Sequence, residues 1–128
     1  MDHQWEQAVR RGDLEALRQQ VAGVDIDARD RHGQTALMIA AQQGHATVVS
    51  FLVEHLAGLN HTAKYGLSAL MLAVIQGHLE IVRTLVAAGA DLTIRGTGAP
   101  GFAGKTALDL ATARGRSDLV DVLRVRSR

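Results

Sequence analysis

The sequence predicts an all-α solenoid of four stacked helix–turn–helix units, and three observations carry that prediction. The stretch Gly33-Gln-Thr-Ala-Leu-Met-Ile-Ala40 returns 33 residues later as Gly66-Leu-Ser-Ala-Leu-Met-Leu-Ala73. The following landmarks keep the same phase: Gly44-His45 returns as Gly77-His78, and Val49 and Leu52 return as Val82 and Leu85. Each copy also pairs apolar residues at helical spacing with a glycine that stops the helix. A fixed period of this length marks a repeat architecture.

Taken in chain order, residues 1–29 form a degenerate first unit. Ala8, Gly12 and Leu17 stand 32 residues before Ala40, Gly44 and Val49. Trp5 falls three residues before Ala8, where later copies carry Leu37, Leu70 and Leu108, so it reads as a core anchor rather than an exposed aromatic. In the unit 30–62, Thr35 is placed to cap a helix with Leu37, Ala40 and Ala41 on one face, ended by Gly44. A second helix over 45–53 then turns Val48, Val49 and Leu52 inward. This unit closes Glu54-His-Leu-Ala-Gly-Leu-Asn, with Leu56 standing where Gly89 stands one repeat later. Either Leu56 accepts a strained backbone or Gly58 takes over as the cap.

The unit 63–95 repeats the pattern and ends Gly89-Ala-Asp-Leu-Thr, a glycine cap followed by a short extended stretch. Five extra residues, Gly96-Thr-Gly-Ala-Pro100, precede the last copy, which spans 101–126 with Gly104-Lys-Thr-Ala-Leu-Asp-Leu-Ala111, Gly115, Val120 and Leu123. This insertion lies on the turn side, where insertions often serve binding. No unit this short buries its apolar face alone, so neighbours stack into one elongated core. Charged residues crowd the outer copies (Arg10, Arg11, Asp13, Glu15 and Arg18; Arg114, Arg116, Asp118, Asp121 and Arg124), as end caps of a finite stack require. The expectation is one domain over 1–128.

Composition narrows the function classes. Lys and Arg total 14 against 13 Asp and Glu, which gives no general attraction to nucleic acid or an anionic membrane. Four aromatic residues, Trp5, Phe51, Tyr65 and Phe102, are too few for a base-stacking platform. The absence of cysteine removes disulfides, thiolate zinc sites and thiol catalysis, and is compatible with a reducing compartment. The N-terminus lacks the basic-then-apolar pattern of a secretory signal. The longest apolar run, Ala69 to Ile75, is far short of the ~18 residues of a membrane span. The expectation is a monomer in the cytoplasm, without cofactor or metal.

Several motifs invite chemistry and fail on context. Ala99-Pro-Gly-Phe-Ala-Gly-Lys105-Thr106 fits a relaxed phosphate-loop pattern, with Lys105 and Thr106 in the phosphate and magnesium roles. No apolar strand precedes it, and Gly104-Lys-Thr-Ala-Leu is already the repeat's own turn and helix start. Nucleotide binding at 99–106 is kept only as an alternative reading. His45 and His78 share one repeat position, which favours a hydrogen-bonding role at the helix start over metal ligation. Glu54, His55 and His61 lack ligand spacing, and His3 and His32 read as surface residues. Asp25, Asp27 and Asp30 read as a solvated turn bonding its own backbone. No serine has nucleophile-elbow surroundings. Nothing assembles an acid, a base and a pocket, so catalysis is not expected.

The repeated stretches Thr35-Ala-Leu-Met-Ile-Ala, Ser68-Ala-Leu-Met-Leu-Ala and Thr106-Ala-Leu-Asp-Leu-Ala, with the Gly-His pairs and Gly89-Ala-Asp, resemble the ankyrin repeat, a 33-residue unit carrying Thr-Pro-Leu-His-x-Ala. The resemblance covers roughly residues 4 to 125 and implies stacked helix pairs joined by β-turn or hairpin-like connections. This sequence departs from the signature where proline is alanine in all three copies and histidine is Met38, Met71 and Asp109. In the family that histidine ties the turn together, so looser turns are expected here.

The resemblance further implies noncatalytic recognition of a partner protein through a concave face built from turn tips and first helices. A permanent structural or inhibitory subunit is the other reading of the same fold. Carried over by position, the turn-tip residues are Arg31, His32 and Gln34, then Lys64, Tyr65 and Leu67, then Phe102 and Lys105. The first-helix ridge supplies Arg10 and Arg11, Gln42 and Gln43, Ile75 and Gln76, and Arg114. Tyr65, Leu67, Ile75 and Phe102, with Met71 nearby, are apolar or aromatic where a solvated surface is usually polar, and arginine and lysine surround them. That composition resembles a hot spot with a polar rim. The basic tail Arg124-Val-Arg-Ser-Arg128 is a further place where acidic partners could be steered.

Overall fold

Short helices arise wherever a capping side chain precedes an apolar run and a glycine follows it. The computed structural model describes residues 1–127, with side chains through Arg124. They form eight α-helices: α1 (His3–Arg11), α2 (Leu14–Gln20), α3 (Ala36–Gln43), α4 (Ala46–Glu54), α5 (Ala69–Gln76), α6 (Leu79–Ala87), α7 (Ala107–Ala113) and α8 (Ser117–Ser127). Among the described residues there are no strands, and three isolated bridges, 29–35, 62–68 and 96–103, mark the hairpin-like connections.

First helices stack in one row, α1 on α3 on α5 on α7, and second helices in another, α2 on α4 on α6 on α8. The caps explain where the first row begins. Thr35, Ser68 and Thr106 accept hydrogen bonds from the N–H groups of Met38, Met71 and Asp109. Each cap contributes about 1 kcal/mol by satisfying a donor that the helix leaves unpaired. Asp109 returns the contact to the Thr106 N–H at 3.0 Å, closing a capping box. Gly12, Gly44 and Gly77 end α1, α3 and α5 in the left-handed region.

At Gly44 the requirement is double. Its φ is 83°, and a Cβ there would lie 2.8 Å from the His78 ring. That ring reaches back to the preceding helix pair: His78 Nε2 donates to the Gln42 carbonyl at 3.3 Å, and His45 Nε2 donates to the Arg10 carbonyl at 2.9 Å. The two histidines thus hydrogen-bond from the helix start, to the neighbouring unit and not to their own helices. They satisfy carbonyls left open at the end of the neighbouring first helix, and so tie adjacent units.

The core runs the length of the stack and alternates between rows. Leu37, Ala40, Leu70, Ala73, Leu110 and Ala111 come from the first helices, and Leu17, Val49, Leu52, Leu85, Leu119 and Leu123 from the second. Trp5, 1% exposed, fills the leucine position of α1, and its Nε1 has no acceptor among the described residues. Met38 and Met71 are each 1% exposed, so Met71 belongs to the core and not to a surface patch.

Leu56 resolves the question left open after α4. It adopts φ 64° with its side chain 86% exposed, and Gly58 keeps negative φ, so the strained leucine itself makes the turn. Asp30 corrects the solvated-turn reading: its side chain is 1% exposed and paired with Arg10 Nη2 at 3.0 Å. Local backbone bonding holds there as expected, since its Oδ1 accepts from the N–H groups of His32 and Gln34 at 2.8 and 2.9 Å.

Candidate concave binding groove

The groove forms because each turn projects beyond the start of the first helix that follows it, and the first helices stand side by side below the tips. Leu72 and Ile75, three residues apart on α5, face the same way and make the floor. Ala63, Lys64, Tyr65 and Leu67 from the turn before α5 make one wall. Gln34 and Gln42 close the side toward α3, and Phe102 closes the side toward α7. The enclosed volume is about 300 Å³.

Backbone conformation aims the aromatic wall. Tyr65 and Gly66 both lie in the left-handed region, at φ 62° and 66°. For a tyrosine this costs about 1–2 kcal/mol, because Cβ crowds the carbonyl. The cost is offset by packing: the Tyr65 ring meets Phe102 with centroids 5.5 Å apart and planes tilted by 37°. Lys64 Nζ lies 5.0 Å from the Tyr65 ring centroid. The inserted segment braces the tip, since Thr97 N–H donates to the Tyr65 carbonyl at 2.7 Å and Gly98 lies beside the ring. It buttresses the turn and leaves Tyr65 37% exposed.

Of the residues carried over from the sequence, the structure brings together Gln34, Gln42, Lys64, Tyr65, Leu67, Ile75, Gln76 and Phe102. Leu67 is a correction. It is only 5% exposed, packs with the core, and meets the groove at its base rather than standing as a free surface residue. Gln42 is half-buried, and its side-chain carbonyl accepts from Gln34 Nε2 at 3.2 Å. Arg31 and His32 stand exposed in an adjoining polar depression with Arg10 and Asp30, which shares Gln34 with the groove. Gln43, Lys105 and Arg114 are exposed but do not line the groove. Arg10 is engaged by both Glu6 and Asp30, at 3.1 and 3.0 Å.

Leu72 and Ala63 were missed. Leu72 was legible, because it lies three residues before Ile75 on the same helix. Ala63 carries no chemistry of its own and matters only through the room it leaves.

The phosphate-loop-like stretch has no phosphate-loop context here. Its helix N-terminus is filled by the Thr106 hydroxyl and the Asp109 carboxylate. Hydrogen bonding to Thr106 holds Asp109 below the usual carboxylate range, so a negative charge already sits where a phosphate would. Among the described residues no group of three or more His, Asp or Glu side chains could hold a metal. No helix among them is long and apolar enough to cross a membrane. Of the basic tail, the side chains after Arg124 lie outside what the structure describes.

A second depression opens on the opposite side, between α2, α4 and α6. Phe51, with His55 stacked on it at 4.2 Å, lines it with Arg18, Glu54, Glu80 and Thr84. Its wall is more mixed in charge than that of the groove.

Comparison with known proteins places these features. A family model described as ankyrin repeats in three copies matches residues 5–96. Among curated human proteins, the ankyrin repeat domain-containing protein 29 is 46% identical over 55 residues, which is 41% of this chain and 18% of that protein. The photoreceptor ankyrin repeat protein is 46% identical over 37 residues, 29% of this chain and 8% of that protein. The chain thus spans less than a fifth of the length of either relative.

Proposed function

The chain belongs to the ankyrin repeat family, and on that premise we propose that it is a noncatalytic module that binds a partner protein through the groove walled by Tyr65 and Phe102 and floored by Leu72 and Ile75. Ankyrin repeats are generally protein–protein interaction modules, so what the proposal adds is the face, the residues and the absence of catalysis. One observation carries it. Half-exposed apolar and aromatic side chains from two adjacent turns and one helix converge on a single depression with glutamines at its edge. Such a cluster, desolvated at its centre and polar at its rim, is what concentrates binding energy in protein interfaces. Burying the exposed remainder of Tyr65, Phe102 and Ile75 under a partner contributes roughly 25 cal/mol for each Å² of apolar area removed from water.

The module acts as a monomer in the cytoplasm under this reading. Tyr65→Ala combined with Ile75→Ser tests it. Both fold-sensitive readouts, helical content and thermal midpoint, should stay close to wild type, while a partner captured from the native host's soluble lysate is lost. Unfolding of the variant places the two residues in the core. An unchanged capture profile removes the groove from the binding surface.

A further inference from the structure

The charge distribution around the groove names the chemistry of its occupant. Lys64 is the charged side chain of the groove wall, Arg31 stands on the tip before it and Lys105 on the tip after it. Arg11 and Arg114 extend the same sign along the first-helix row. Among the described residues none of these five cations sits in an ion pair.

Two of the carboxylates on this side pair with a cation, and two bond only to backbone N–H groups. Glu6 and Asp30 both hold Arg10. Asp2 accepts from the Trp5 N–H and Asp109 from the Thr106 N–H. The lining of the groove itself holds Lys64 and no carboxylate. Unpaired cations around an apolar depression favour an anionic approach and repel a basic one.

We propose that the occupant is a peptide segment of another protein that inserts one aromatic or long aliphatic side chain between Tyr65 and Ile75 and flanks it with Asp or Glu residues facing Lys64 and Lys105. This rests on the reading of the groove as the partner-binding surface. The depression, at about 300 Å³, takes a side chain or two and not a folded domain. A single strand of nucleic acid shares the charge but not the floor. Tyr65 and Phe102 are packed on one another, and the floor is aliphatic, which leaves no run of ring faces for successive bases.

The probe is a phage-displayed library of random 12-residue peptides, selected on the full chain. Enriched sequences should carry Phe, Trp, Leu or Ile with Asp or Glu close on both sides. A synthetic winner should lose about tenfold or more in affinity for the Lys64→Glu/Lys105→Glu variant, whose altered side chains are solvent-exposed, and should weaken as NaCl rises from 50 to 500 mM, as screening of rim charges requires. Winners with neutral or basic flanks that still depend on Ile75 overturn the acidic assignment and leave the groove reading standing. Winners that bind the Tyr65→Ala/Ile75→Ser variant unchanged overturn both. Failure of any peptide to enrich, or tighter binding of a dT20 oligonucleotide than of every peptide, overturns the proposal.

Discussion

Two turns at equivalent repeat positions, 30–35 and 63–68, are built by different means. In the first, Asp30 accepts from the His32 and Gln34 N–H groups and binds Arg10 of the preceding helix. Only Gly33 there is left-handed, at φ 78°. In the second, Ala63 stands where Asp30 stood and no carboxylate gathers the tip. The backbone closes alone, Ala63 N–H to the Leu67 carbonyl at 3.2 Å and Gly66 N–H to the Ala63 carbonyl at 3.0 Å, and Tyr65 joins Gly66 in the left-handed region. The first tip is tied to the stack. The second, freed of that tie, turns an aromatic ring toward Phe102 and is braced from the next unit by Thr97. The groove lies against the turn that lacks the side-chain anchor.

The largest expected effect comes from untying the first turn. Asp30→Ala strands two N–H groups and a half-buried guanidinium, and should cost about 2–3 kcal/mol in urea unfolding. The reverse transplant sharpens the comparison. Ala63→Asp with Gln42→Arg rebuilds the tie in the second turn; it should raise stability by about 1 kcal/mol while weakening groove binding, because the new side chains enter the wall. A stability gain with binding intact would separate the tie from the groove.

The same contrast recurs where second helices end. Gly89 takes φ 96° after α6, but Leu56 takes φ 64° after α4 with its side chain exposed. Leu56→Gly should therefore stabilise by roughly 0.5–1 kcal/mol, a rise in thermal midpoint. The smallest effect concerns the last unit, where Arg116 replaces His45 and His78. Hydrogen bonding to Arg116 holds Asp118 down at about 2. A carboxylate depressed in the folded state contributes stability that is complete above its unfolded value, near 3.9, and is lost as pH falls toward 2. Asp118→Asn should lower the urea midpoint slightly at pH 7, where that contribution is complete, and make no difference near pH 2, so the pH dependence across that window flattens.

Much of this was legible in the sequence, for physical reasons. Phase, caps and stops are local, so Thr35, Ser68, Thr106, Gly44 and Gly77 announce the helices they bound. Trp5 was placed in the core by its register alone. What escaped depends on contacts between units. Leu67 matches the position of half-buried Gln34, but it packs into the core, and packing between units has no signature at the residue buried. Asp30 was read as solvated because its partner, Arg10, lies 20 residues away in the preceding unit. His45 and His78 were recognised as equivalent, but their acceptors lie on the helix before. Leu56 was undecided because strain of this kind is set by the stack on either side of it.

The central claim is that the partner lies in the concave groove and not in the depression around Phe51 and His55 on the opposite side. Amide chemical-shift mapping with a selected peptide on the isotopically labelled chain tests it directly. The account expects shifts concentrated at residues 63–76 and around Phe102, with the Thr97 amide responding through its bond to Tyr65. Shifts centred on Phe51, His55 and Thr84, with Tyr65 and Ile75 unmoved, would contradict it.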